Sequence, residues 1–337
     1  NKHFVCHDAT EAAMTAFNCG VQYEFPQANM YRVLPELLKK KKVKKEDIDK
    51  AVEQALAFKF SLGLFENPYV DEKQAVAVSK SLAHRKTALK AAHESIVLLK
   101  NDGLLPLKKA KYKKIAVIGP CANDLWFGGY SGEPYEKVSL LDGIRNKAGN
   151  GTEVLFAQGC RLTINTTLSY FNWKYDEIKV ASREENLKLI KEAVKVGSGA
   201  DLVILALGEN EHLCREAWAQ NHIGDNNTLD LFGEQGELAD AVTALGKPVV
   251  LYLMNGRPLS FNKLAEKVPA IVEGWYMGQE TGTAAADILF GEVNPSGKLT
   301  ITFPKSAGQL PMYYNHKPSA QWQDYISQDV KPLFHFG

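Results

Sequence analysis

Short, nearly continuous runs of aliphatic and β-branched residues constrain the fold of this chain more than any other feature. Six such runs follow residue 112, at 115–119, 154–157, 202–207, 249–254, 270–276 and 299–303. A strand that is apolar at almost every position is typical of a parallel sheet, whose two faces are both covered. The runs therefore predict six strands that are buried on both sides.

Segments with helical spacing separate most of these runs. Residues 183–196 place Leu187, Ile190 and Val194 on one face, and Ser182 and Glu185 form a capping box at the start of this helix. Two more helices are predicted at about 234–244 and 281–290. This alternation predicts an α/β fold, a mostly parallel six-stranded α/β/α sandwich with right-handed crossovers.

The first 100 residues have a helical pattern instead. Ile48, Val52, Ala55 and Leu56 recur at helical spacing, and so do the apolar residues at 88, 92, 96 and 99. Because this segment lacks the strands of a closed domain, we predict that it is the end of a larger domain or a helical collar on the sandwich.

Composition argues against several classes of function. Lys and Arg number 40 and Asp and Glu 39, so a net charge of +1 creates no field that attracts nucleic acid or an anionic membrane. No apolar run approaches the roughly 20 residues of a membrane helix. The five cysteines form no C-x-x-C pair, and His3, Cys6 and His7 lack a second ligand pair at zinc spacing. We therefore predict no metal and no cofactor.

Several catalytic signatures fail when their spacing is counted. No G-x-G-x-x-G follows the run at 115–119, where Pro120 removes a backbone donor. Five residues instead of the four of a P-loop separate Gly291 from Gly297, and residues 129–133 lack the last glycine of G-x-S-x-G. Nucleotide chemistry and acyl transfer are therefore poorly supported.

Polar residues follow the predicted strands at the edge where open α/β sheets bind ligands. The longest such segment is 208–225, and long loops in compact domains are usually functional. Carboxylates, amides, an arginine and aromatic rings at this edge suit a hydroxyl-rich ligand. The alternative, that these residues are helix caps and turns, is favoured for Glu280 at a helix start.

After these exclusions, chemistry that uses a pair of carboxyl groups remains, and glycoside hydrolysis is of this kind. It needs one carboxylic acid that protonates the leaving oxygen and a second carboxylate that acts as nucleophile or activates water. The acid must stay protonated, which desolvation or a facing carboxylate can achieve. Glu216 lies between Arg215 and Trp218 in the long loop and is our candidate for the acid.

These residues resemble glycoside hydrolase family 3, in particular its β-xylosidase and β-glucosidase branch. The resemblance extends almost continuously along the chain. It is carried by KFSLGLFENPY (59–69), ESIVLLKNDGLLPL (94–107), KKIAVIGPCAND (113–124), GGYSG (128–132), ADLVILALGENEHLCREAW (200–218), NHIGD (221–225), GKPVVLYLMNGRPLS (246–260), the long block 275–320 and PLFHFG (332–337).

The resemblance implies a TIM-like barrel followed by the sandwich. It assigns residues 1–100 to the end of the barrel and a helical linker, 101–320 to the sandwich, and 321–337 to the start of a C-terminal extension. It also implies a retaining, exo-acting β-xylosidase or β-glucosidase in which Glu216 is the acid/base and a barrel Asp is the nucleophile. Because the family's nucleophile motif precedes the matching segment, we expect a fragment that is inactive without a barrel. A non-catalytic carbohydrate-binding or scaffold module is the alternative.

The resemblance further implies which residues meet the substrate. They are Arg215, Trp218, His222 and Asp225, with Asn123, Asp124 and Tyr130 at the pocket mouth. An ordinary loop hydrogen bond is the alternative for His222. The expected partners are an oligosaccharide or β-glycoside, the missing barrel domain and a second copy in a homodimer, but neither nucleic acid nor membrane. A periplasmic or secreted location is favoured, with the cytoplasm still open, and the choice between xylose and glucose is undecided.

Overall fold

The computed structural model describes residues 5–25, 29–128, 131–132, 134–164, 179–215, 224, 226–317 and 324–337. The chain divides into two compact units, Asn1–Ser79 and Lys80–Gly337. The first unit is helical. Its helices are α1 (Ala9–Asn18), a 3-10 turn (Tyr31–Val33), α2 (Leu34–Lys39), α3 (Lys45–Ser61) and α4 (Glu72–Ser79).

Few side chains are buried in the first unit. Helix α3 confirms the helical spacing predicted around Val52, yet none of its residues is fully buried. In the described part of this unit, only Ala13, Leu37 and Val43 are buried hydrophobic residues. Among its described residues, the helices of this unit therefore enclose no sizeable core of their own.

The second unit contains all the strands that the structure describes. Its helices are α5 (Leu82–Ser95), α6 (Leu140–Ala148), α7 (Arg183–Ser198), α8 (Gln235–Thr243), α9 (Asn262–Lys267) and α10 (Thr281–Leu289), with 3-10 turns at Lys109–Lys111, Gly278–Glu280 and Ala307–Gln309. Its strands are β1 (Val97–Asn101), β2 (Lys114–Ile118), β3 (Glu153–Ala157), β4 (Thr163–Ile164), β5 (Lys179–Val180), β6 (Leu202–Gly208), β7 (Val249–Met254) and β8 (Ala270–Glu273).

Six of these strands form one sheet in the order β1-β8-β7-β6-β2-β3. Strand β1 is antiparallel to β8, and all other neighbours are parallel. The short strands β4 and β5 form a separate antiparallel pair. The predicted mostly parallel α/β sandwich is confirmed.

Side chains alternate between two cores, one on each face of the sheet. Along β6, Ile204 and Ala206 belong to the core that includes residues of α6 and α10, whereas Val203 and Leu205 belong to the core that includes residues of α7 and α8. All residues of β6 are buried. This explains the continuous apolar run, because successive side chains of a strand point to opposite faces and both faces are covered.

The predicted helix cap is confirmed at α7. The Ser182 hydroxyl accepts a hydrogen bond from the Glu185 backbone N–H at 3.3 Å and donates to the Glu185 carboxylate at 2.9 Å. This satisfies one of the backbone donors that every helix start leaves unpaired.

Three predicted segments differ from the structure. Residues 299–303 do not join the sheet, and only Phe303 makes an isolated bridge, to Phe334. The sixth strand of the sheet is β1 instead. Helical spacing was predicted for this segment, up to Leu99. Its exposure varies from residue to residue, as expected of an edge strand. The strand predicted for 270–276 is shorter than expected, since β8 ends at Glu273.

None of the helices among the described residues combines the length and the apolar character needed to cross a membrane.

Candidate active site

The order of the strands changes direction at β2. Strand β3 pairs with one side of β2, and β6, the next strand of this sheet along the chain, pairs with the other side. In open α/β sheets, ligands bind in the crevice beyond the carboxyl ends of the two strands at such a switch point. The candidate site therefore lies beyond Ile118 and Gly208.

The carboxyl end of β6 is fixed by close backbone contacts. The side-chain amide of the buried Gln235 accepts from the Gly208 N–H and donates to the Gly208 carbonyl, both at 2.9 Å. A Cβ atom at Gly208 would lie 1.8 Å from the Met254 carbonyl oxygen, so only glycine fits. The next residue, Glu209, donates its backbone N–H to the same oxygen at 3.0 Å.

Glu209 forms an ion pair with Arg257, which follows β7. Arg257 donates from Nη2 to Oε1 at 2.7 Å and from Nε to Oε2 at 2.8 Å. The Glu209 side chain is completely buried, and 17% of the Arg257 side chain is exposed. A bidentate pair of this kind fixes the orientation of both groups as well as their distance.

The residues after Glu209 are tied to each other and to the segment that follows β8. The buried Asn210 donates from its side chain to the Thr163 hydroxyl at 2.8 Å and accepts at its own backbone carbonyl from the Cys214 thiol at 3.3 Å. Tyr276 donates its hydroxyl to the Glu209 carbonyl at 2.9 Å and lies 3.7 Å from the Cys214 sulfur. We call residues 209–215 the stem, since they lead from β6 to Glu216.

Burial sets the electrostatics of the stem. It raises the pKa of the Glu211 carboxyl, against the opposing effects of its own backbone N–H and of Arg215. It also raises the pKa of the Cys214 thiol to about 11 and that of the Tyr276 hydroxyl above its usual range. The thiol and the hydroxyl are therefore neutral near pH 7, and Glu211 is the stem carboxyl whose proton is held more tightly than usual.

The carboxyl ends of β7 and β8 carry a second buried acid. Glu273 accepts from the Trp275 N–H at 2.9 Å and from the Asn255 side-chain amide at 3.1 Å. Burial raises the pKa of Glu273 to about 8, and the two hydrogen bonds only partly oppose this shift. At neutral pH this carboxyl is therefore mainly protonated.

A cleft opens beside the carboxyl end of β2. It has a volume of about 510 Å³, and its lining includes Asn123, Asp124, Trp126 and Arg161. Partial burial raises the pKa of the Asp124 carboxyl, while Arg161 and Gln158 oppose the shift. A tryptophan beside carboxylate, amide and guanidinium groups is a suitable lining for a ligand with both an apolar face and hydroxyl groups.

The structure describes three of the predicted site residues. Asn123 and Asp124 lie after β2, and Arg215 ends the stem that follows the neighbouring strand β6. The other predicted site residues lie outside the described residues; these are Tyr130, Glu216, Trp218, His222 and Asp225. Glu280 is buried at the start of α10 and bound by Arg85 at 2.9 Å, which agrees with a structural role.

Sequence reasoning missed the roles of Glu209, Arg257, Gln235 and Tyr276. Each of the two residues follows a strand, Glu209 after β6 and Arg257 after β7, but nothing in the local sequence indicates that they pair across 48 positions. Tyr276 was assigned to a strand that ends earlier. The sequence does contain one signal for Glu209: a charged residue directly follows a continuous apolar run, which indicates a charged group at the end of a buried strand. Among the described residues, no group of three His, Cys, Asp or Glu side chains is arranged to hold a metal ion.

Comparison with known proteins identifies the family. Residues 96–337 match the family model described as the glycosyl hydrolase family 3 C-terminal domain. The match covers well over half of the chain, so the chain belongs to glycoside hydrolase family 3, and the predicted resemblance is confirmed.

The relatives are β-xylosidases and β-glucosidases. A β-xylosidase from Formosa agariphila is 36% identical over 99% of this chain and 45% of its own length, and a periplasmic β-glucosidase from Salmonella typhimurium is 37% identical over 100% and 46%. The solved structure of a β-glucosidase from Erythrobacter marinus is 40% identical, with a TM-score of 0.89 over 99% of this chain and 45% of that one. This chain therefore spans less than half the length of these relatives.

Proposed function

We propose that this chain supplies Glu216 as the acid/base of a retaining, exo-acting β-glycosidase that removes terminal xylose or glucose from β-linked oligosaccharides and glycosides. One observation carries the proposal: the stem that leads to Glu216 begins at the carboxyl end of β6, at the switch point of the sheet, and is held there by buried hydrogen bonds and an ion pair. The names of the relatives support the class of substrate.

In this proposal Glu216 acts twice. It first donates a proton to the departing glycosidic oxygen, and it then accepts a proton from the water that releases the covalent glycosyl-enzyme. The second carboxylate stands about 5–5.5 Å away in a retaining site, and its charge raises the pKa of the acid. Glu216 is thereby kept protonated for the first step.

We propose that the second carboxylate comes from a barrel outside these 337 residues. The relatives are more than twice as long as the part that this chain matches. The first unit also exposes large apolar side chains, among them Phe58, Phe60 and Phe65, each more than half exposed. The rings of Phe60 and Phe65 contact each other, with centroids 4.3 Å apart, and exposed apolar groups that cluster in this way often mark a surface that packs against another part of a protein.

The test is a chimera in which the part of the Salmonella β-glucosidase that precedes its match to this chain is joined to residues 1–337. We expect Glu216→Gln to lower kcat/KM on a glycoside with a poorly acidic leaving group by about 10²–10⁴-fold, the usual range for general acid catalysis. The loss should be much smaller on a nitrophenyl glycoside, since nitrophenolate departs without a proton. Steady-state kinetics on the two substrates measures both effects.

Glu211→Gln is the matched control, because Glu211 is a second glutamate of the same loop with a raised pKa. We expect it to retain kcat/KM. A loss in Glu211→Gln with none in Glu216→Gln would reassign the acid. Unchanged turnover in both variants would favour the alternative, a binding or scaffold module. Turnover by residues 1–337 alone would contradict a nucleophile that lies outside them.

We also propose a periplasmic or secreted location, which is supported by the name of the Salmonella relative. The predicted homodimer stays a prediction, and light scattering on the purified chain measures it.

A further inference from the structure

We propose that the Glu209–Arg257 ion pair is the positioning device for the loop that carries the acid/base, with Arg257 as the positioning residue. The inference rests on the proposed function of Glu216. It concerns the two described flanks of the loop, the stem at 209–215 and residues 226–228.

The pair lies where both flanks meet. Besides binding the Glu209 carboxylate, Arg257 donates from Nη1 to the Thr228 carbonyl at 2.9 Å. The side-chain amide of Asn226 donates to the Leu213 carbonyl at 3.0 Å and lies 3.4 Å from Glu209 Oε1. One guanidinium thus connects the residue that starts the loop with a residue that ends it.

The end of strand β6 also has contacts of its own, separate from this ion pair. The last register partners of β6 and β7 are Gly208 and Met254, and Glu209 lies one residue beyond that point. The end of β6 is already fixed by Gln235 and by the backbone bond from Glu209 to Met254. We therefore expect that loss of the ion pair loosens the stem more than it loosens strand β6.

The chemistry of the pair suits a positioning role. A fully buried carboxylate must keep its partner, because an unpaired charge is strongly disfavoured in the interior. The two parallel N–H···O bonds also resist rotation of the stem. Precision matters at this place, since a misplacement of about 1 Å of a catalytic group costs about 100-fold in rate.

Cys214 provides a reporter within the stem. It is partly buried, and its thiol contacts Asn210 and Tyr276. Cys121 and Cys160 are buried, so replacing Cys6 and Cys19 by serine leaves Cys214 as the thiol that reacts when the stem opens. The experiment compares Arg257→Met, Arg257→Lys and a control variant in this background of the full chain.

Arg85→Met is the matched control, because Arg85 also binds a buried glutamate of the same unit, Glu280, but none of its described contacts lies on the loop. We expect Arg257→Met to raise the rate at which Cys214 reacts with an aromatic disulfide by roughly tenfold or more, because local opening exposes the thiol. Backbone hydrogen exchange should quicken at 209–215 and 226–228 but not in β2, β6 or β7. Arg85→Met should lower stability to urea without changing the Cys214 rate.

Arg257→Lys keeps the positive charge but loses the two parallel N–H donors of the guanidinium. We therefore expect Cys214 to react at a rate between those of the unchanged protein and Arg257→Met. If Arg257→Met does not fold, thiol reactivity and hydrogen exchange are measured on Arg257→Lys instead. In the chimera, Arg257→Lys should lower kcat and leave KM nearly unchanged. Unchanged thiol reactivity and exchange in the folded variants would overturn the inference, and so would a loosened stem with unchanged kcat. These results are independent of Glu216→Gln, which tests the proposed function separately.

Discussion

At the scale of single residues, Glu273 is the most unusual group of the described chain. It is fully buried, and its hydrogen-bond partners are one backbone N–H and the Asn255 side-chain amide. No described cation neutralises it, and burial therefore raises its pKa to about 8 from a usual value of 4.5. A carboxyl group in this state makes the stability of the fold depend on pH.

The direction of this dependence follows from proton binding. Between pH 4.5 and about 8, the folded protein holds a proton on Glu273 that the unfolded chain has released. The free energy of unfolding should therefore fall as the pH rises through this window, with a contribution of up to about 1.4 kcal/mol per pH unit. Glu273→Gln has no proton to release and should lack this contribution. Urea denaturation of both proteins from pH 5 to pH 8.5 measures the difference, and parallel curves would contradict the buried neutral acid.

At the scale of elements, the contact between α6 and α10 is unusually close. A Cβ atom at Gly143 in α6 would lie 2.0 Å from the Gly282 carbonyl oxygen, and one at Gly282 would lie 1.9 Å from the Ser139 carbonyl oxygen. The two helices therefore approach each other backbone to backbone. The two helices can pack this closely on their face of the sheet only because both positions are glycine.

Gly143→Ala should separate these helices. Because the obstacle is backbone, we expect a loss of about 3 kcal/mol in the free energy of unfolding, at the upper end of overpacking costs. Gly236→Ala in α8 is the control, since nothing lies within 4 Å of the added Cβ. It should be neutral or stabilising by up to about 1 kcal/mol through helix propensity. Urea denaturation compares the two, and equal stabilities would show that the helices can shift apart without cost.

The strands of the sheet differ in how well the apolar pattern of the sequence predicts them. Five strands of the sheet were predicted, since burial on both faces leaves a continuous apolar run. Strand β1 was missed because its Leu99 continues the helical spacing of apolar residues that begins in α5. Residues 299–303 are apolar at Leu299, Ile301 and Phe303, but the edge of the sheet is occupied by β1. Pairing with a neighbour decides whether an extended segment becomes a strand, and that neighbour is distant in sequence.

At the scale of the whole molecule, the two units differ in how much core they hold. Apart from Ala13, Leu37 and Val43, every buried hydrophobic residue among those described lies in Lys80–Gly337. That unit has core clusters on both faces of its sheet. Since burial of apolar surface is the main favourable term in folding, the units should differ in their ability to fold alone.

We therefore expect residues 80–337, produced alone, to unfold cooperatively in urea with a midpoint close to that of the full chain. Residues 1–79 alone should show no cooperative transition. Circular dichroism and fluorescence in urea measure both fragments. A cooperative transition in 1–79, or an unfolded 80–337, would contradict this distribution of stability.

Local apolar patterns and ordered motifs were enough to predict the class of fold, most of its strands and helices, and the family. The sequence also singled out Glu216 and its neighbours as the candidate site, which remains a proposal. Three further contacts are seen only in the folded chain: β1 forms the edge of the sheet, Glu209 pairs with Arg257, and Gly143 lies against Gly282. These contacts join residues far apart in the chain, and local patterns carry no information about which distant partner a buried group will meet.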